Sequence, residues 1–334
     1  MLIDRRELLR ALEGVAIGLN TKANLEQSNC FCFQSGKVCA FNEEVYTIQD
    51  TDLDICGAVP SKPLLETLRK LTEDELTITA TDTELRIKGQ GRRSAVRLNP
   101  QVLLPTGQVE AAESWTELAP AFGDALPLVA SCAADENQIF ELTCVRVSAK
   151  GLEACDQRQA IRYAVPTGIT GEVLLRGTSC KLFNGLGIAE IAETPAWLWF
   201  KTYTGLQAAI RKISGKYPPL GDIFKTPKIA EIDLPGSVVD ILARAAVFQQ
   251  ETATGKLVNL SLKEGKMMVR ASNTLGFFEE IKAVDYSGPA LTLGLNPKYL
   301  EALVKHGLPI AVTAESIRIT GESFIYALAL EAGN

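Results

Sequence analysis

The fold is decided by the stretch Asn296-Pro-Lys-Tyr-Leu-Glu-Ala-Leu-Val-Lys305 and by the residues that follow it, Ile310-Ala-Val-Thr-Ala-Glu-Ser-Ile-Arg-Ile-Thr320. The first part has apolar residues at helical spacing behind an N-cap asparagine and a first-turn proline, and the second part alternates as strands do. The same order of helix, strand, acidic turn and strand recurs at 61–70 with 76–88, and more weakly at 178–186 with 196–211. The sequence therefore predicts three copies of one module.

The spacing of the copies indicates tandem domains. The helix starts at Ser61, Thr178 and Asn296 are about 117 residues apart, which is too long for a solenoid repeat. Loop-forming residues cluster at 99–108 and 225–228, where we place the linkers. We predict domains over residues 1–108, 109–228 and 229–334.

Each copy also opens with a helix. Asp4 and Glu7 have the spacing of a capping box in front of the first helix. Glycine-centred turns such as those at Gly36 and Gly265 separate alternating segments and predict hairpins. We expect an α+β fold in which two helices cover an antiparallel sheet in each domain. The six predicted helices cover residues 5–16, 61–71, 117–132, 178–189, 237–250 and 297–306.

Composition indicates a folded protein with a sizeable core, because 46% of the residues are hydrophobic and 22% are charged. The segment 1–6 lacks an apolar signal stretch, and no window approaches the ~18 apolar residues that cross a bilayer. We therefore expect a cytoplasmic protein. Most of the eight cysteines, Cys56 among them, fall in strand-like runs, so we expect buried reduced thiols and no structural disulfide set.

The inventory of reactive residues argues against an enzyme. The single histidine, His306, excludes a multi-histidine metal site within one chain. Cys30, Cys32 and Cys39 lack a fourth ligand at regular spacing, and buried thiols explain their alternation better than zinc does. The chain has no Walker-type phosphate loop. We expect no catalytic residues, no metal and no cofactor.

The last third of the chain resembles the bacterial DNA polymerase processivity factor, the beta sliding clamp. The resemblance rests on four motifs in this third. A helix end rich in arginine and alanine lies at 243–248, and a hairpin with a central glycine lies at 262–273. A pair of acidic residues lies at 279–280, and a glycine-x-asparagine followed by a helix with tyrosine and leucine lies at 293–303. The segments 214–218 and 154–160 resemble two further family motifs, and the first ~100 residues match in pattern more than in identity. The chain is identified as a divergent member of this family.

The resemblance implies a ring of two head-to-tail chains with helices lining the pore and strands forming the outer wall. Duplex DNA would pass through the ring in a sequence-independent, topological manner, and the clamp would tether a DNA polymerase without making or breaking a bond. The implied partners are duplex DNA, the polymerase, a clamp loader ATPase and a second copy in a homodimer. The implied setting is the cytoplasm of a bacterial or virus-infected bacterial cell.

The charge distribution is compatible with such a ring. The six predicted helices hold ten Lys and Arg against seven Asp and Glu, a net charge of +3, so the rest of the −6 chain carries −9. Basic helices inside an acidic rim would hold DNA loosely, although ordinary solvated helix faces would give the same count. The candidate DNA-facing residues are Arg6, Arg10, Lys22, Lys62, Arg69, Lys70, Lys181, Arg244, Lys298 and Lys305.

The family binds its partners through short peptides in an apolar cleft between the second and third domains, a mode suited to extended segments. Ten positions of this chain match that cleft, and they are Leu142, Cys155, Gln157, Arg158, Ala160, Pro218, Ile223, Asn296, Tyr299 and Ser316. A helix residue packed on its own sheet explains Tyr299 as well as a role in the cleft does. Pro218 is explained better as an ordinary turn proline.

The sequence departs from the family at the cleft. Members usually finish with methionine-proline-methionine-arginine, whereas this chain finishes Phe324-Ile-Tyr-Ala-Leu-Ala-Leu-Glu-Ala-Gly-Asn334. Gln157 and Arg158 replace a turn glycine and histidine. Replacing methionines with alanine and leucine changes the volume of the pocket, so we expect an altered peptide preference and a virus-encoded or otherwise divergent clamp.

A second interpretation is a clamp-shaped interaction scaffold or inhibitor that does not encircle DNA. The sliding clamp and the scaffold differ in whether dimerisation is required. A ring requires the strand edges of the first and third domains to pair across two chains. Candidate edge strands lie in 79–87 and 267–271.

Overall fold

The computed structural model describes residues 1–20, 25–252 and 255–331. It has the predicted α+β class, with short helices packed on antiparallel sheets. None of the described helices is long and apolar enough to span a membrane.

The described part of the chain contains six α-helices, one at each predicted place. They are α1 (Arg5–Val15), α2 (Ser61–Lys70), α3 (Ala121–Ala130), α4 (Gly177–Lys181), α5 (Val238–Ala245) and α6 (Pro297–Val304). Short 3-10 turns cover Ala16–Gly18, Thr106–Gln108, Phe140–Thr143 and Ala246–Phe248.

The strands are short and pair antiparallel. The first half of the chain contributes β1 (Leu2–Asp4), β2 (Cys30–Gln34), β3 (Lys37–Phe41), β4 (Val45–Asp50), β5 (Gly57–Pro60), β6 (Glu75–Ala80), β7 (Glu84–Gly89), β8 (Arg92–Arg97), β9 (Thr116–Glu117), β10 (Cys144–Ser148), β11 (Gly151–Cys155) and β12 (Gln159–Ala164). The second half contributes β13 (Glu172–Arg176), β14 (Ile188–Glu193), β15 (Trp197–Thr202), β16 (Gln207–Ile213), β17 (Ala230–Ile232), β18 (Gln250–Thr252), β19 (Gly255–Lys263), β20 (Lys266–Asn273), β21 (Gly276–Ala283), β22 (Leu291–Leu295), β23 (Ile310–Val312), β24 (Ser316–Thr320) and β25 (Phe324–Ala329).

Two predicted helix starts show the expected capping. The Asp4 carboxylate accepts the backbone N–H of Glu7 at 2.9 Å at the start of α1. The Asn296 side chain accepts the N–H of Lys298 at 3.1 Å at the start of α6, whose first residue is Pro297. Each bond satisfies one of the N–H groups that a helix start leaves without an intrahelical partner.

Two predicted helices in the middle of the chain are too long. The helix placed at 178–189 is the single turn α4, because Gly185 and Gly187 adopt positive φ and β14 starts at Ile188. The helix placed at 117–132 starts only at Ala121, because Glu117 belongs to β9 and Pro120 precedes the first turn. The strand-like assignment of Cys56 is also wrong, since this residue is exposed and lies before β5.

The chain divides into two compact units. Unit 1 comprises 1–131, 144–152 and 165–216, and unit 2 comprises 132–143, 153–164 and 217–334. The predicted division into three domains of about 110 residues remains a prediction.

Unit 1 contains a four-stranded sheet in the order β1-β6-β7-β8 and a larger sheet in the order β10-β13-β16-β4-β3-β2-β5. Strands β15, β14 and β9 extend the larger sheet from β16. Helices α1 and α2 pack side by side and bury Leu8, Leu12, Leu64 and Leu68 in one apolar core. Burying each such leucine contributes roughly 1.5–3 kcal/mol.

Unit 2 contains a sheet with the strand order β17-β23-β24-β25-β12 and a second sheet with the order β18-β19-β20-β21, to which β22 adds beside β19. Helices α5 and α6 pack together and bury Ile241, Leu242, Leu300 and Leu303. Their amphipathic spacing is the reason that one face of each helix is buried.

The predicted edge strands are interior strands. Strand β7 pairs with β8 along its length, and β20 pairs likewise with β21. Strand β8 therefore lies at one end of its sheet in unit 1, and β21 lies at one end of its sheet in unit 2. The alternation of a strand shows which residues face the core, but it does not show whether another strand follows in the ladder.

The hydroxyl of Thr47 joins helix α1 to the sheet of unit 1. It is fully buried and donates to the carbonyl oxygen of Val15 at 2.7 Å. We predict that Thr47→Val lowers the free energy of unfolding by about 1–3 kcal/mol, because the buried carbonyl loses its partner. The measurement is urea denaturation with Thr79→Val, an exposed strand position, as the control. Equal effects of the two substitutions would contradict this role.

Candidate functional site

Unit 2 contains a cavity of about 190 Å³ beside strands β12, β24 and β25. Six of the ten predicted cleft residues line it, and they are Cys155, Gln157, Arg158, Ala160, Ile223 and Ser316. The volume is sufficient for one or two apolar side chains of an extended segment.

The floor of the cavity is a sheet face that carries small side chains. Ala160 on β12 pairs with Ala327 on β25, and Ser316 on β24 pairs with Ala329 on β25. Ala160 and Ala327 are each 2% exposed. Because these side chains stop at Cβ or one atom further, they leave space above the sheet that longer side chains would fill.

One wall of the cavity is the segment that carries Ile223 and Thr226, and Arg318 fixes it to the sheet. The Arg318 guanidinium on β24 donates to the carbonyl oxygens of Phe224 at 2.5 Å and Thr226 at 3.3 Å. Arg162 on β12 lies over the Phe224 ring at 5.1 Å from its centroid. These contacts hold the wall in place without filling the cavity, and Ile223 stays 38% exposed.

A hydrogen-bonded network lies at the polar end of the cavity and centres on Asp156. One carboxylate oxygen of Asp156 accepts the backbone N–H groups of Arg158 at 3.0 Å and Gln159 at 2.9 Å. The other accepts the side-chain amide of Gln159 at 2.9 Å and the hydroxyl of Tyr299 at 3.3 Å. Gln159 in turn accepts the buried hydroxyl of Tyr326 at 2.5 Å. Such a network fixes the turn 156–158 and orients α6 beside the cavity.

The turn itself needs an unusual backbone conformation. Gln157 has a φ of 77°, where non-glycine residues are uncommon. Its N–H points to the Cys155 sulfur at 3.4 Å. Burial raises the pKa of the Cys155 thiol above its usual range, so the thiol is neutral and behaves as an apolar lining group.

Four predicted cleft residues do not line this cavity. Leu142 is buried at the end of a 3-10 turn, and Pro218 is half-buried in the segment that leads to the wall. Asn296 caps α6, and Tyr299 reaches the site only through Asp156. Through these contacts Asn296 positions the start of α6, and Tyr299 positions Asp156.

Five lining residues were missed by the sequence interpretation, and they are Gln159, Thr226, Glu315, Ala327 and Ala329. The alternation of Ala327 and Ala329 was a usable signal, because residues two apart on a strand share a face. The contribution of Glu315 and Thr226 depends on which strands become neighbours, which the sequence alone does not reveal.

The last described residues continue the backbone pairing beyond β25. The N–H of Leu330 donates to Glu315 at 2.8 Å, and Glu331 forms an isolated bridge with Gly294. Alanines thus occupy the cavity floor near the end of β25.

The candidate DNA-facing residues fall into three groups, and Lys22 lies outside the described residues. Four are in exposed ion pairs, at N–O distances of 2.7–2.9 Å, and these are Arg6 with Asp74, Arg69 with Glu13, Arg244 with Glu280, and Lys305 with Glu301. Arg10, Lys62, Lys70 and Lys298 form no ion pair with any described residue. Lys181 is half-buried on the single turn α4.

Helices α1 and α2 carry five of these ten cations in unit 1. The guanidinium of Arg69 on α2 meets the Glu13 carboxylate on α1 at 2.9 Å, which joins the two helices. Surface ion pairs of this kind are worth about 0–1 kcal/mol, so a competing phosphate could displace the carboxylate at little cost. Within residues 1–20, 25–252 and 255–331, no three His, Cys, Asp or Glu side chains are arranged to hold a metal ion.

Solved bacterial DNA polymerase III beta subunits have the fold of this chain. The protein from Thermotoga maritima matches with a TM-score of 0.85 and 15% identity, covering 100% of this chain and 99% of that chain. The sliding clamp from Pseudomonas aeruginosa bound to griselimycin matches with a TM-score of 0.83 and 16% identity over the same shares. The beta chain from Streptococcus pneumoniae matches with a TM-score of 0.82 and 16% identity, covering 99% of each chain. The predicted clamp fold is therefore confirmed.

No protein-family model and no curated protein sequence matches this chain. At identities of 14–17% the likeness to solved structures concerns the fold.

The hydrogen bond between Tyr299 and Asp156 leads to a prediction about the pH at which the Tyr299 hydroxyl ionises. Burial, followed by the Asp156 carboxylate, raises the pKa of Tyr299 above its ordinary value of 10.0. The folded protein thus holds this proton more tightly than the unfolded chain, and the associated stability is intact below pH 10 and lost as pH rises through the raised pKa. We predict that subtracting the alkaline absorbance titration of Tyr299→Phe from that of the parent leaves a curve with its midpoint above pH 10.

A midpoint for Tyr299 at or below pH 10 would show that its hydroxyl is not held as described.

Proposed function

We propose that this protein is a sliding clamp that encircles duplex DNA and tethers a DNA polymerase. The observation that carries the proposal is the likeness in fold to bacterial sliding clamps over 99–100% of both chains. The clamp makes and breaks no bond, and it works in the cytoplasm of a bacterial or virus-infected bacterial cell. A clamp loader ATPase supplies the energy for opening the ring.

Two copies close the ring head to tail by pairing the β8 edge of one with the β21 edge of the other. Edge strands present rows of backbone N–H and C=O groups that favour pairing. Strand β8 exposes Arg93 and Arg97, whereas β21 exposes Phe277, Glu279 and Ile281. The edges therefore differ in charge, which favours pairing of unlike edges over like ones.

DNA is held by the cations on the helices. Arg10, Lys62 and Lys70 on α1 and α2 are free to meet phosphates, and the ion-paired arginines can exchange partners. Few contacts of this strength give weak, salt-sensitive and sequence-independent binding, which suits a protein that slides. Retention then depends on the closed ring and not on affinity.

The cavity in unit 2 anchors the polymerase. An extended peptide places an apolar side chain over the floor of Ala160, Ala327 and Ala329, and its polar groups meet Gln157 and Arg158 at the rim. A few buried anchors commonly supply most of the affinity of such peptides. The loader uses the same cavity, so polymerase and loader compete for it.

Two observations favour the second candidate, a clamp-shaped scaffold that does not encircle DNA. Four of the predicted DNA-facing cations are neutralised by carboxylates, and α4 offers only one turn to a pore. A scaffold would keep the cavity and lose the topological link to DNA.

Retention on DNA of different topology separates the two candidates. The protein is loaded with its cognate loader onto a nicked plasmid, and half of the sample is then linearised. We predict that it stays on the circle at about 0.5 M salt, because a closed ring needs no attraction to remain, and that it leaves the linear DNA by sliding off the ends. Equal loss from both forms would support the scaffold.

The cavity is tested with Ala329→Trp, because Ala329 lines the cavity and is itself exposed, so the fold tolerates the larger side chain. We predict at least tenfold weaker binding of a peptide from the cognate polymerase in a fluorescence polarisation assay, since the indole occupies the space of the anchor. Ala80→Trp, an exposed alanine in unit 1, is the control. If Ala329→Trp binds the peptide as tightly as the parent does, the polymerase-binding site is not this cavity.

A further inference from the structure

The rim of the unit 2 cavity carries a carboxylate that no described residue neutralises. Glu315 lies in the turn that joins β23 to β24, and its side chain is exposed. The charged residues that line the cavity in the described chain are Arg158 and Glu315. Glu315 forms no ion pair with any described residue, so its charge is available to a bound partner.

The turn presents Glu315 in a fixed conformation, because a buried hydroxyl holds its backbone. The Thr313 hydroxyl, in a residue 1% exposed, accepts the N–H of Glu315 at 3.4 Å and that of Ser316 at 3.0 Å. The same hydroxyl donates to the Ser316 carbonyl oxygen at 3.0 Å. The N–H of Leu330 donates to the Glu315 carbonyl oxygen at 2.8 Å. A partner therefore meets a preorganised rim and orders little backbone on binding.

Two arginines beside the cavity have oxygen partners of their own. Arg318 donates to the carbonyl oxygens of Phe224 and Thr226 in the wall. Arg162 forms an ion pair with the buried Glu153. Neither arginine lines the cavity, so neither offsets the charge of the rim carboxylate.

The charge of Arg158 is offset at the other side of β25. Burial and the Asp156 carboxylate raise the pKa of Tyr299, whereas the Arg158 guanidinium lowers it, so this guanidinium lies close to the Tyr299 hydroxyl. That hydroxyl is 3.3 Å from the Asp156 carboxylate. Arg158 thus has an anion as its neighbour, whereas Glu315 has no such counter-ion in the described chain.

Glu315 is also close to the floor on which an apolar anchor would rest. Its neighbour Ser316 pairs with Ala329, and both line the cavity. In an extended peptide, residues two apart share a face and are about 7 Å apart. The long stem of a lysine or arginine spans such a distance while its charged end stays at the surface.

We propose that Glu315 selects peptides that carry a lysine or an arginine within two positions of their apolar anchor. The preference rests on the proposed function, because it assigns the partner chemistry of the cavity that tethers the polymerase. A basic residue gains an ion pair at the rim, whereas an acidic residue there meets a like charge.

Defined peptides test this preference on the full-length protein. Synthetic nonapeptides have leucine or phenylalanine at the centre, with lysine, glutamine or glutamate at one of the four positions within two residues of it. Serine and glycine fill the other positions, and binding is measured by fluorescence polarisation. We expect the best lysine peptide to bind about two- to fivefold tighter than its glutamine counterpart, and the glutamate peptide to bind weakest. The difference is expected to shrink at about 0.5 M salt, where surface charges are screened.

Substitutions of Glu315 show whether this carboxylate is the cause. Glu315→Gln is expected to remove the lysine preference, and Glu315→Lys to reverse it in favour of glutamate. Glu322→Lys is the matched control, because Glu322 is exposed beyond the other end of β24 and does not line the cavity. A preference that survives Glu315→Gln, or that disappears in Glu322→Lys, overturns the assignment.

Ala329→Trp separates failure of the preference from failure of the cavity as a peptide site. If the peptides bind without regard to charge and Ala329→Trp weakens all of them, the preference is wrong and the cavity remains the site. If no peptide binds at about 1 mM, or if Ala329→Trp leaves binding unchanged, both are wrong. Retention on circular DNA tests the ring independently of either result.

Discussion

The hydrogen-bond pairing of strand backbones determines how the sheets of this protein are arranged. Strand pairs connect segments that the sequence assigns to different predicted copies, because β16 pairs with β4 and β12 pairs with β25. Each pairing continues an antiparallel ladder across copies, which explains why residues 153–164 belong to unit 2 and not to the unit that surrounds them in sequence. Strands β8 and β21 each lie at one end of a sheet, where their backbone groups face no further strand of the described chain.

The cavity is a consequence of the same pairing. Ala160 and Ala327 face each other because β12 and β25 are neighbours, and Ala329 meets Ser316 because β24 is the next strand. Small side chains brought together from three strands leave a groove, and Arg318 holds the wall beside it. The Asp156 network then sets the turn at the polar end, so the site is built from buried contacts and does not depend on a bound partner.

The sequence predicted the class of fold and the presence of all six helices, because capping residues and apolar spacing act locally, as at Asp4 and Asn296. The sequence-based predictions were wrong where tertiary contacts determine the structure. The glycines at 185 and 187 end α4 early, and the true edges are one strand beyond the predicted ones. Six residues that line the cavity had been predicted through family resemblance, whereas Ala327 and Glu315 join the cavity through strand neighbours that are distant in sequence.

The central claim is that two copies of this chain surround DNA. The most direct measurement is electron cryomicroscopy of the protein loaded on a nicked duplex circle, after removal of the free protein. The account predicts a closed ring of two 36.1 kDa chains with the duplex passing through its centre and β8 of each copy joined to β21 of the other. Single chains bound along the outside of the duplex, or dimers joined through other surfaces, would contradict it.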